Sequence, residues 1–504
     1  MEKVDEIMIT ALILLVALAI LAWGFYRARP YGKVGIFAWL QSVALMLPWL
    51  LFFGLAAAGI YLNIVGVIFL LVASTAVYIL LGRQLRAAGQ KGALPRRAAA
   101  IADAAAEAAS EETPAIAQPQ EPEPAFTPVP AEDLQKMRGL FGIETFFATE
   151  TIPYQDGVIF KGNLRGEPAA THERLSSALT EQLGDRYRLF LVENQDQKPV
   201  VIVLPSANDP PKGGLAQKVF AVPLFLATVA TCLERGGLQL GVDVLSDPQR
   251  LQDALPLGLG ILAVILLHEV GHWVTARRYK IRLSWPYFIP AWQLGSFGAI
   301  TRFESLLPNR TVLFDIAFAG PAVGALLSLV MLVVGLLLSI PSGLPQPLPG
   351  YFETVPTEFF EGSILVGTLA RVILGAELKD TVVNIHPLMA VGWLGLVITA
   401  LNLLPAGQLD GGRIVQAIYG RRVAARLTVG TLILLAIASL ANPLALYWGV
   451  LVLFLQRQPE RPTLEELTEP NDARAALALL ALFLTVMTLF PLTPSLAGRL
   501  GIGG

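Results

Sequence analysis

The feature that most constrains this chain is an apolar run at residues 261–276 with ionisable side chains inside it. The run, ILAVILLHEVGHWVTA, holds His268, Glu269 and His272 among leucine, isoleucine and valine. Residues four apart share one face of a helix, so both imidazoles can reach one metal ion with the carboxylate beside them. Ionisable groups in such a helix are costly to bury unless something pairs them. The run therefore predicts a metal site within a membrane helix, the alternative being a chance match on a soluble helix.

The composition indicates a polytopic membrane protein with a soluble part. Hydrophobic residues make up 54% of the 504 residues and charged residues only 15%, whereas soluble domains carry about 25% charge. The net charge of −2 gives no indication of a nucleic-acid partner, and the single cysteine, Cys232, excludes an internal disulfide framework. The predicted fold class is a polytopic α-helical membrane protein with about ten transmembrane helices, a small α+β soluble domain and a membrane-dipping loop.

Five regions follow from the pattern of apolar runs and composition. The first apolar run lacks a basic leading segment and a cleavage site, so we interpret it as a retained span. Residues 134–211 predict strands at 158–161, 187–193 and 200–204 and a helix at 171–183. The regions are three transmembrane helices at 1–83, an Ala/Pro/Glu-rich disordered tether at 84–133, the α+β domain at 134–211, the membrane core at 212–456, and a linker with the last transmembrane helix at 457–504.

The positions of the basic residues predict how the membrane core is oriented across the membrane. Arginine and lysine follow the apolar run at 277–282, which predicts that the metal end of this helix lies toward the cytoplasmic side. The aromatic, Pro- and Gly-rich segment 285–303 is too broken to span and predicts a loop that dips into the membrane. A span at 311–340 contains AGPAVG, whose small residues favour either close helix packing or a direct role in catalysis. Residues 341–386 are predicted to form a loop on the outer side of the membrane, with a surface helix near residues 363–374.

A second polar motif, NLLPAGQLDGG at residues 402–412, follows a later apolar run. Hydropathy and charge place Asp410 on the same side of the membrane and at a similar depth as His268 and His272. Catalytic zinc takes three protein ligands and leaves a fourth position for water, and HExxH is the spacing that holds zinc between two histidines. Asp410 is therefore the predicted third ligand, with a helix cap or turn residue as the alternative. The remaining histidines, His172 and His386, are not predicted to bind metal.

This combination of motifs resembles the site-2 protease family of intramembrane zinc metalloproteases. The resemblance implies that His268, His272 and Asp410 bind Zn²⁺ and that Glu269 is the catalytic base, which takes a proton from water and passes it to the leaving amine. It also implies that Asn402 and Pro405 shape the site or orient substrate. GNLRG at residues 162–166 and LGSFGAITRFES at residues 294–305 are similar to the plastid and cyanobacterial branch named for ethylene-dependent gravitropism-deficient and yellow-green mutants.

The predicted function is hydrolysis of a peptide bond within or next to a transmembrane segment of membrane-protein substrates, as in regulated intramembrane proteolysis. The backbone at Gly298, Ala299 and Ile300 is predicted to pair with an extended substrate as an edge strand. The predicted partners are such substrates and the lipid bilayer, in a cyanobacterial-type plasma or thylakoid membrane with the active site toward the cytoplasm. The alternatives are a catalytically silent scaffold or chaperone-like protein of the same fold, and a metal transporter, which would carry further ionisable groups along a path.

Overall fold

A computed structural model describes residues 129–340 apart from 155 and 195, then 353–375, 378, 381–440, 442–456 and 458–502, with scattered positions between 24 and 84. The predicted N-terminal spans lie largely outside the described residues, as does nearly all of the tether. The chain divides into two units, Met1–Glu123 and Pro124–Gly504. In the first unit, the rings of Phe25 and Trp39 pack edge to face with centroids 4.9 Å apart.

The second unit begins with an α+β domain built on a four-stranded antiparallel sheet. Its strand order is β1-β2-β4-β3, and α2 packs Leu175 and Leu179 onto the sheet. The predicted helix and the three predicted strands are confirmed, whereas β1 was not predicted. The elements are α1 (Ala131–Gly139), β1 (Phe146–Tyr154), β2 (Gly157–Leu164), α2 (Pro168–Leu183), β3 (Tyr187–Glu193) and β4 (Pro199–Pro205).

Helix α1 begins at Ala131, within the last three residues of the region predicted as tether. Asp133 in its first turn is buried. Its carboxylate accepts hydrogen bonds from the Tyr187 hydroxyl at 2.8 Å and from the Arg186 guanidinium at 2.9 and 3.0 Å. These bonds, the one from Tyr187 foremost, hold the pKa of Asp133 below its usual value. The contact ties the start of the domain to its third strand.

The membrane core is helical, with two small hairpins. Helices α4, α5 and α7 pack against one another and carry the polar motifs. Helix α8 is interrupted at Gly420, whose φ is 81°. The elements are α3 (Leu215–Leu238), α4 (Leu251–Arg278), β5 (Tyr287–Ala291), β6 (Gly295–Ile300), α5 (Arg310–Leu338), β7 (Glu353–Pro356), α6 (Ile364–Leu374), β8 (Val382–Ile385), α7 (Pro387–Asn402), α8 (Asp410–Ala438), α9 (Pro443–Leu451), a π-helical turn (Val452–Gln456), α10 (Asp472–Leu489) and α11 (Pro494–Leu500).

Four helices among the described residues are long and apolar enough to cross a membrane. Three further apolar helices there are shorter, and Pro387–Asn402 has 16 residues where a straight span needs about 20. The predicted total of about ten spans therefore stays a prediction. The four long segments are Gln217–Leu238, Pro248–Arg278, Arg310–Leu338 and Asp472–Leu489.

The segment predicted to dip into the membrane forms the antiparallel hairpin β5–β6. Phe288, Leu294 and Phe297 are buried in the main apolar core, which also includes residues of α3, α4 and α7. The Ser296 hydroxyl lies within the hairpin and donates to the carbonyl of Ile289 at 2.9 Å. Because its backbone is paired and its apolar side chains face the helices, a non-helical segment is stable at this position.

The segment 458–471, between the π-helical turn and α10, joins the α+β domain to the core. Leu191 in β3 donates to the carbonyl of Leu464 at 2.8 Å, and the amide of Leu464 donates to the carbonyl of Leu307 at 2.8 Å. Glu465 forms parallel bridges to both Leu191 and Asn309. We call residues 458–471 the connecting segment; its backbone bonds hold the α+β domain against the exit of the β5–β6 hairpin.

Candidate active site

Helix α4 places His268 and His272 one turn apart, as the spacing predicts. Both side chains are buried, and their Nε2 atoms lie 3.1 Å from each other. Glu269 lies beside them and is partly exposed. The run that carries these residues is apolar on the remaining faces, with Ile261, Val264 and Ile265 in the core. The burial of this helix therefore follows from its apolar residues, and the polar triplet faces the interior.

Asp410 reaches the histidines from the first turn of α8, 142 residues along the chain from His268. Its Oδ2 lies 3.0 Å from His268 Nε2, and its Oδ1 lies 3.3 Å from His272 Nε2. Asp410 is the first residue of α8, whose N-cap residue is Leu409, and its carboxylate contacts both histidines. Among the described residues, these three side chains are the group whose ligand atoms, all within 4.8 Å of one another, could hold a metal ion.

The hydrogen bonds of His272 fit a metal ligand. Its Nδ1 lies 2.7 Å from the carbonyl oxygen of Ile316, which can only accept. Nδ1 must therefore carry the proton, which leaves a lone pair on Nε2 directed at Asp410 and His268. The observed separations of 3.0–3.3 Å between the candidate ligand atoms are slightly shorter than the roughly 3.3–3.6 Å edges of a tetrahedral zinc site with bonds of about 2.0–2.2 Å.

The AGPAVG sequence in α5 makes room for the imidazoles. A Cβ at Gly320 would lie 2.3 Å from His272 Nε2, and one at Gly324 would lie 3.3 Å from His268 Nδ1. The sequence left two roles open for this motif, close helix packing and a direct part in catalysis. The structure shows a further role: the small residues leave space for the two histidine rings. Any side chain at Gly320 would occupy the position of the His272 ring.

The carboxylate of Glu269 is held by a residue that sequence reasoning missed. The Thr301 hydroxyl donates to Glu269 Oε2 at 2.6 Å, and the Thr301 carbonyl accepts from Arg413 Nη2 at 2.8 Å. Arg413 forms a buried ion pair with Glu460 of the connecting segment, with Arg413 Nη2 3.0 Å from Glu460 Oε2. A chain of polar contacts thus runs from Glu269 to the connecting segment.

The predicted substrate-side residues divide into those that line the site and those that do not. Ala299, Ile300 and Asn402 line the pocket that contains Glu269, His272 and Asp410. The Asn402 amide donates to the carbonyls of Ile398 at 3.0 Å and Phe297 at 3.3 Å. Gly298 packs against Asn402 with a φ of +96°, and a Cβ there would lie 2.8 Å from Asn402 Nδ2. Pro405 lies in the turn between α7 and α8, where its carbonyl accepts from Thr431.

The two other histidines lie away from this group. His172 Nε2 is 3.1 Å from the carbonyl of Leu189 in the α+β domain. The Nδ1 of His386 accepts from the amide of Leu388 at the start of α7. Neither belongs to the His268, His272 and Asp410 group found among the described residues.

Comparison with known proteins identifies the family. Residues 257–440 match the family described as Peptidase family M50, and residues 135–210 match the EGY3 middle domain. A protein of Arabidopsis thaliana described as probable zinc metalloprotease EGY1, chloroplastic, is 39% identical over 397 residues, which cover 72% of this chain and 72% of that protein. This chain belongs to peptidase family M50, the site-2 proteases. The predicted resemblance to the EGY-like branch is confirmed.

Two further relatives are also described as zinc metalloproteases. A probable zinc metalloprotease EGY2, chloroplastic, of Arabidopsis thaliana is 40% identical over 351 residues, covering 68% of this chain and 62% of the relative. A protein of the same name from Oryza sativa subsp. indica is 42% identical over 339 residues, which cover 66% of this chain and 61% of that relative. The chain thus spans about three fifths of the length of these two relatives. No solved structure matches this M50 chain.

Three features of this M50 site were not predicted from the sequence. They are the Thr301 hydroxyl on Glu269, the buried Arg413–Glu460 pair, and the fit of Gly320 to His272. Thr301 lies inside one motif that was singled out, LGSFGAITRFES, and Arg413 directly follows the other, NLLPAGQLDGG. A single threonine or arginine has no periodicity of its own, so only the folded chain identifies its partner.

Proposed function

We propose that this chain is a zinc-dependent intramembrane endopeptidase that cleaves membrane proteins within or next to a transmembrane segment. The observation that carries the proposal is the convergence of His268, His272 and Asp410 on one point inside an apolar helix bundle, with Glu269 beside them. The names of the EGY relatives as zinc metalloproteases support zinc as the ion. Bound zinc supplies a Lewis acid that polarises a carbonyl and lowers the pKa of water.

The residues of the chain supply the proton transfers and the alignment. Glu269 accepts the proton of the attacking water and delivers it to the amine of the leaving peptide. The Thr301 hydroxyl, 2.6 Å from Glu269 Oε2, occupies one lone pair and sets the orientation of the carboxylate. The carbonyl of Ile316 keeps the proton of His272 on Nδ1, on the side away from Asp410. The buried position of all three ligands limits the water that can enter.

An extended substrate can pair with the hairpin at Ala299. On the β5 side, the carbonyl of Arg302 accepts from the amide of Ser284 at 2.9 Å. Since backbone groups alternate along a strand, those of Ala299 and Thr301 point to the opposite edge. On that edge the Thr301 carbonyl is already bonded by Arg413 at 2.8 Å. The pairing that we propose therefore centres on the N–H and C=O of Ala299, in the pocket that holds Glu269.

Methylation of single substrate amides tests this pairing. In a synthetic single-span substrate, we expect N-methylation to reduce cleavage by about 5- to 100-fold at the position that bonds Ala299, because the half-buried carbonyl of Ala299 loses its donor. Neighbouring positions should be much less sensitive, since their amides point away from the strand. The measurement is kcat/KM across a scan of six residues around the scissile bond. Equal sensitivity at adjacent positions would contradict pairing as a strand.

Removal and return of zinc test the function as a whole. Treatment of the full-length protein in lipid vesicles with a chelator should stop cleavage of a single-span substrate, and zinc should restore it. Mg²⁺ should not, because it prefers six oxygen ligands and this group offers two nitrogens and a carboxylate. Cleavage that persists after all bound metal has been removed, as measured by mass spectrometry, would refute the proposal.

The alternatives make different predictions. A catalytically silent scaffold has no need of Glu269 or of the Thr301 bond to it. A metal transporter needs several ligand groups along a path, whereas the described residues contain one such group. The basic residues Arg277, Arg278, Lys280 and Arg282 follow the metal-binding helix, so we place this end, with the α+β domain, on the cytoplasmic or equivalent side of a multi-pass membrane protein. The chloroplastic relatives support an organellar or cyanobacterial-type membrane.

A further inference from the structure

An open polar cavity of about 520 Å³ adjoins the metal site. One wall is the chain that directly follows β6, residues 302–307, and another is the start of the connecting segment, at Gln458 and residues 460–462. Gln408, two residues before the ligand Asp410, lines both this cavity and the pocket of the metal site. The two spaces are therefore neighbours, and one stretch of chain runs along both.

With Glu460 counted together with its partner Arg413, the charges that line this cavity sum to one positive charge, Arg302 and Arg461 against Glu304. Glu304 accepts a hydrogen bond from the amide of Gly213 at 2.9 Å, and Glu460 is engaged in its buried pair with Arg413. Arg302 and Arg461 also line the cavity and are exposed. Within the described part of the chain, neither guanidinium forms an ion pair. Arginine offers five donors in a planar fork that matches a carboxylate, so the cavity suits acidic side chains.

The distance along the chain defines which part of a substrate would reach the cavity. Ala299 and Ile300 line the metal site, and the cavity wall begins two residues later at Arg302. An extended peptide advances about 3.3 Å per residue, the same as the strand beside it. A substrate paired at Ala299 would therefore enter the cavity roughly two to six residues from the scissile bond, on the side that carries the α+β domain.

We propose that this cavity is a subsite for an acidic juxtamembrane segment of the substrate, bound by Arg302 and Arg461. The proposal rests on the proposed peptidase function, and it adds a sequence preference outside the membrane segment. It identifies the hairpin exit and the connecting segment as the two surfaces that select substrates. An acidic residue two to six positions from the cleaved bond would pair with these two exposed guanidiniums, which form no ion pair among the described residues.

Two substrates that differ only in this flank provide the test. Both carry the same transmembrane segment, and the flank contains either two aspartates or two lysines, in vesicles of zwitterionic lipid. We expect the wild-type protein to cleave the acidic substrate with a kcat/KM about 3- to 10-fold higher, in line with two partly exposed ion pairs. The double substitution Arg302→Glu and Arg461→Glu should invert this ratio. Because both substrates are measured on one preparation, the ratio is independent of the folded fraction.

A matched control separates local binding from the overall field. Arg138→Glu with Arg174→Glu changes the net charge of the protein by the same amount, at exposed positions of the α+β domain outside the cavity, and it should keep the wild-type ratio. The proposal is overturned if all three proteins show the same ratio, or if the control inverts it as well. If the wild-type protein cleaves neither substrate nor any other membrane protein, the peptidase function itself fails, which is a different result from cleavage without flank preference.

Discussion

Substitution of Glu269 by glutamine is expected to reduce cleavage by about 10²- to 10⁴-fold while the protein keeps its fold and its zinc. Glutamine has the same shape, and its side-chain oxygen can still accept the Thr301 hydroxyl that now lies 2.6 Å from the carboxylate. It cannot accept the proton of the attacking water. The three proposed ligands His268, His272 and Asp410 are untouched by this change. The loss therefore measures proton transfer alone.

Two measurements check this result. Zinc content by mass spectrometry should equal that of the wild type, and quantitative proteomics of membranes should show full-length proteins accumulating in the Glu269→Gln strain. Glu234→Gln is the matched control, because Glu234 is buried in the neighbouring helix α3, where its Oε2 accepts from the amide of Leu245. It should cleave within a few-fold of wild type. Normal cleavage by Glu269→Gln would leave the silent scaffold as the better interpretation.

The local parts of the fold were predictable because each depends on a short periodic pattern. The leucine stripe at Leu175, Leu179 and Leu183 gives α2, and the apolar run around HEVGH gives α4. Strand β1 escaped prediction because it lies at the sheet edge, where only the first of its nine residues is buried. A strand with few buried positions has little apolar alternation to detect.

The candidate metal-ligand group was predicted from two motifs and from charge bias, although 142 residues separate His268 from Asp410. The two motifs contain histidine, glutamate and aspartate, which are rare in an apolar sequence and therefore easy to recognise. The residues that hold these side chains in place cannot be recognised in this way. Thr301 meets Glu269 across 32 residues and Arg413 meets Glu460 across 47, and each is an ordinary polar residue until the chain folds. Removing one partner of a buried ion pair lowers the stability of a protein by about 3–5 kcal/mol. Residues such as Arg413 and Glu460 therefore matter for the fold, although no sequence pattern identifies them.

The position of the α+β domain changes how its role can be understood. A small domain on a tether could serve as a mobile gate over the metal site. The connecting segment instead bonds to β3 at Leu191 and to the chain at Leu307 and Pro308, next to the cavity. It also supplies Glu460 to Arg413, which bonds the backbone of Thr301. A substrate or regulator that displaces the α+β domain would therefore act on the residue that orients Glu269.

Substitution of Gly320 by alanine should weaken zinc binding by about 10- to 100-fold or more and should reduce cleavage in proportion. The new Cβ would lie 2.3 Å from His272 Nε2 and 2.6 Å from two carbons of the same ring. The ring cannot simply move aside, because its Nδ1 is bonded to the carbonyl of Ile316 at 2.7 Å. Either that bond or the ligand position must be lost. Competition with a chelator of known affinity measures the zinc binding.

Two other glycines serve as graded controls for Gly320→Ala. Gly324→Ala should have a smaller effect, since its Cβ would lie 3.3 Å from His268 Nδ1, a distance that a slight shift relieves. Gly430→Ala in α8 has open space around the new methyl group and should preserve zinc affinity, with helix stability raised by up to about 1 kcal/mol. Excess zinc should restore part of the activity of Gly320→Ala, because the defect is one of affinity. Wild-type zinc affinity in Gly320→Ala would show that His272 does not bind the metal through the ring position described above, and the assignment of the three ligands would then fail.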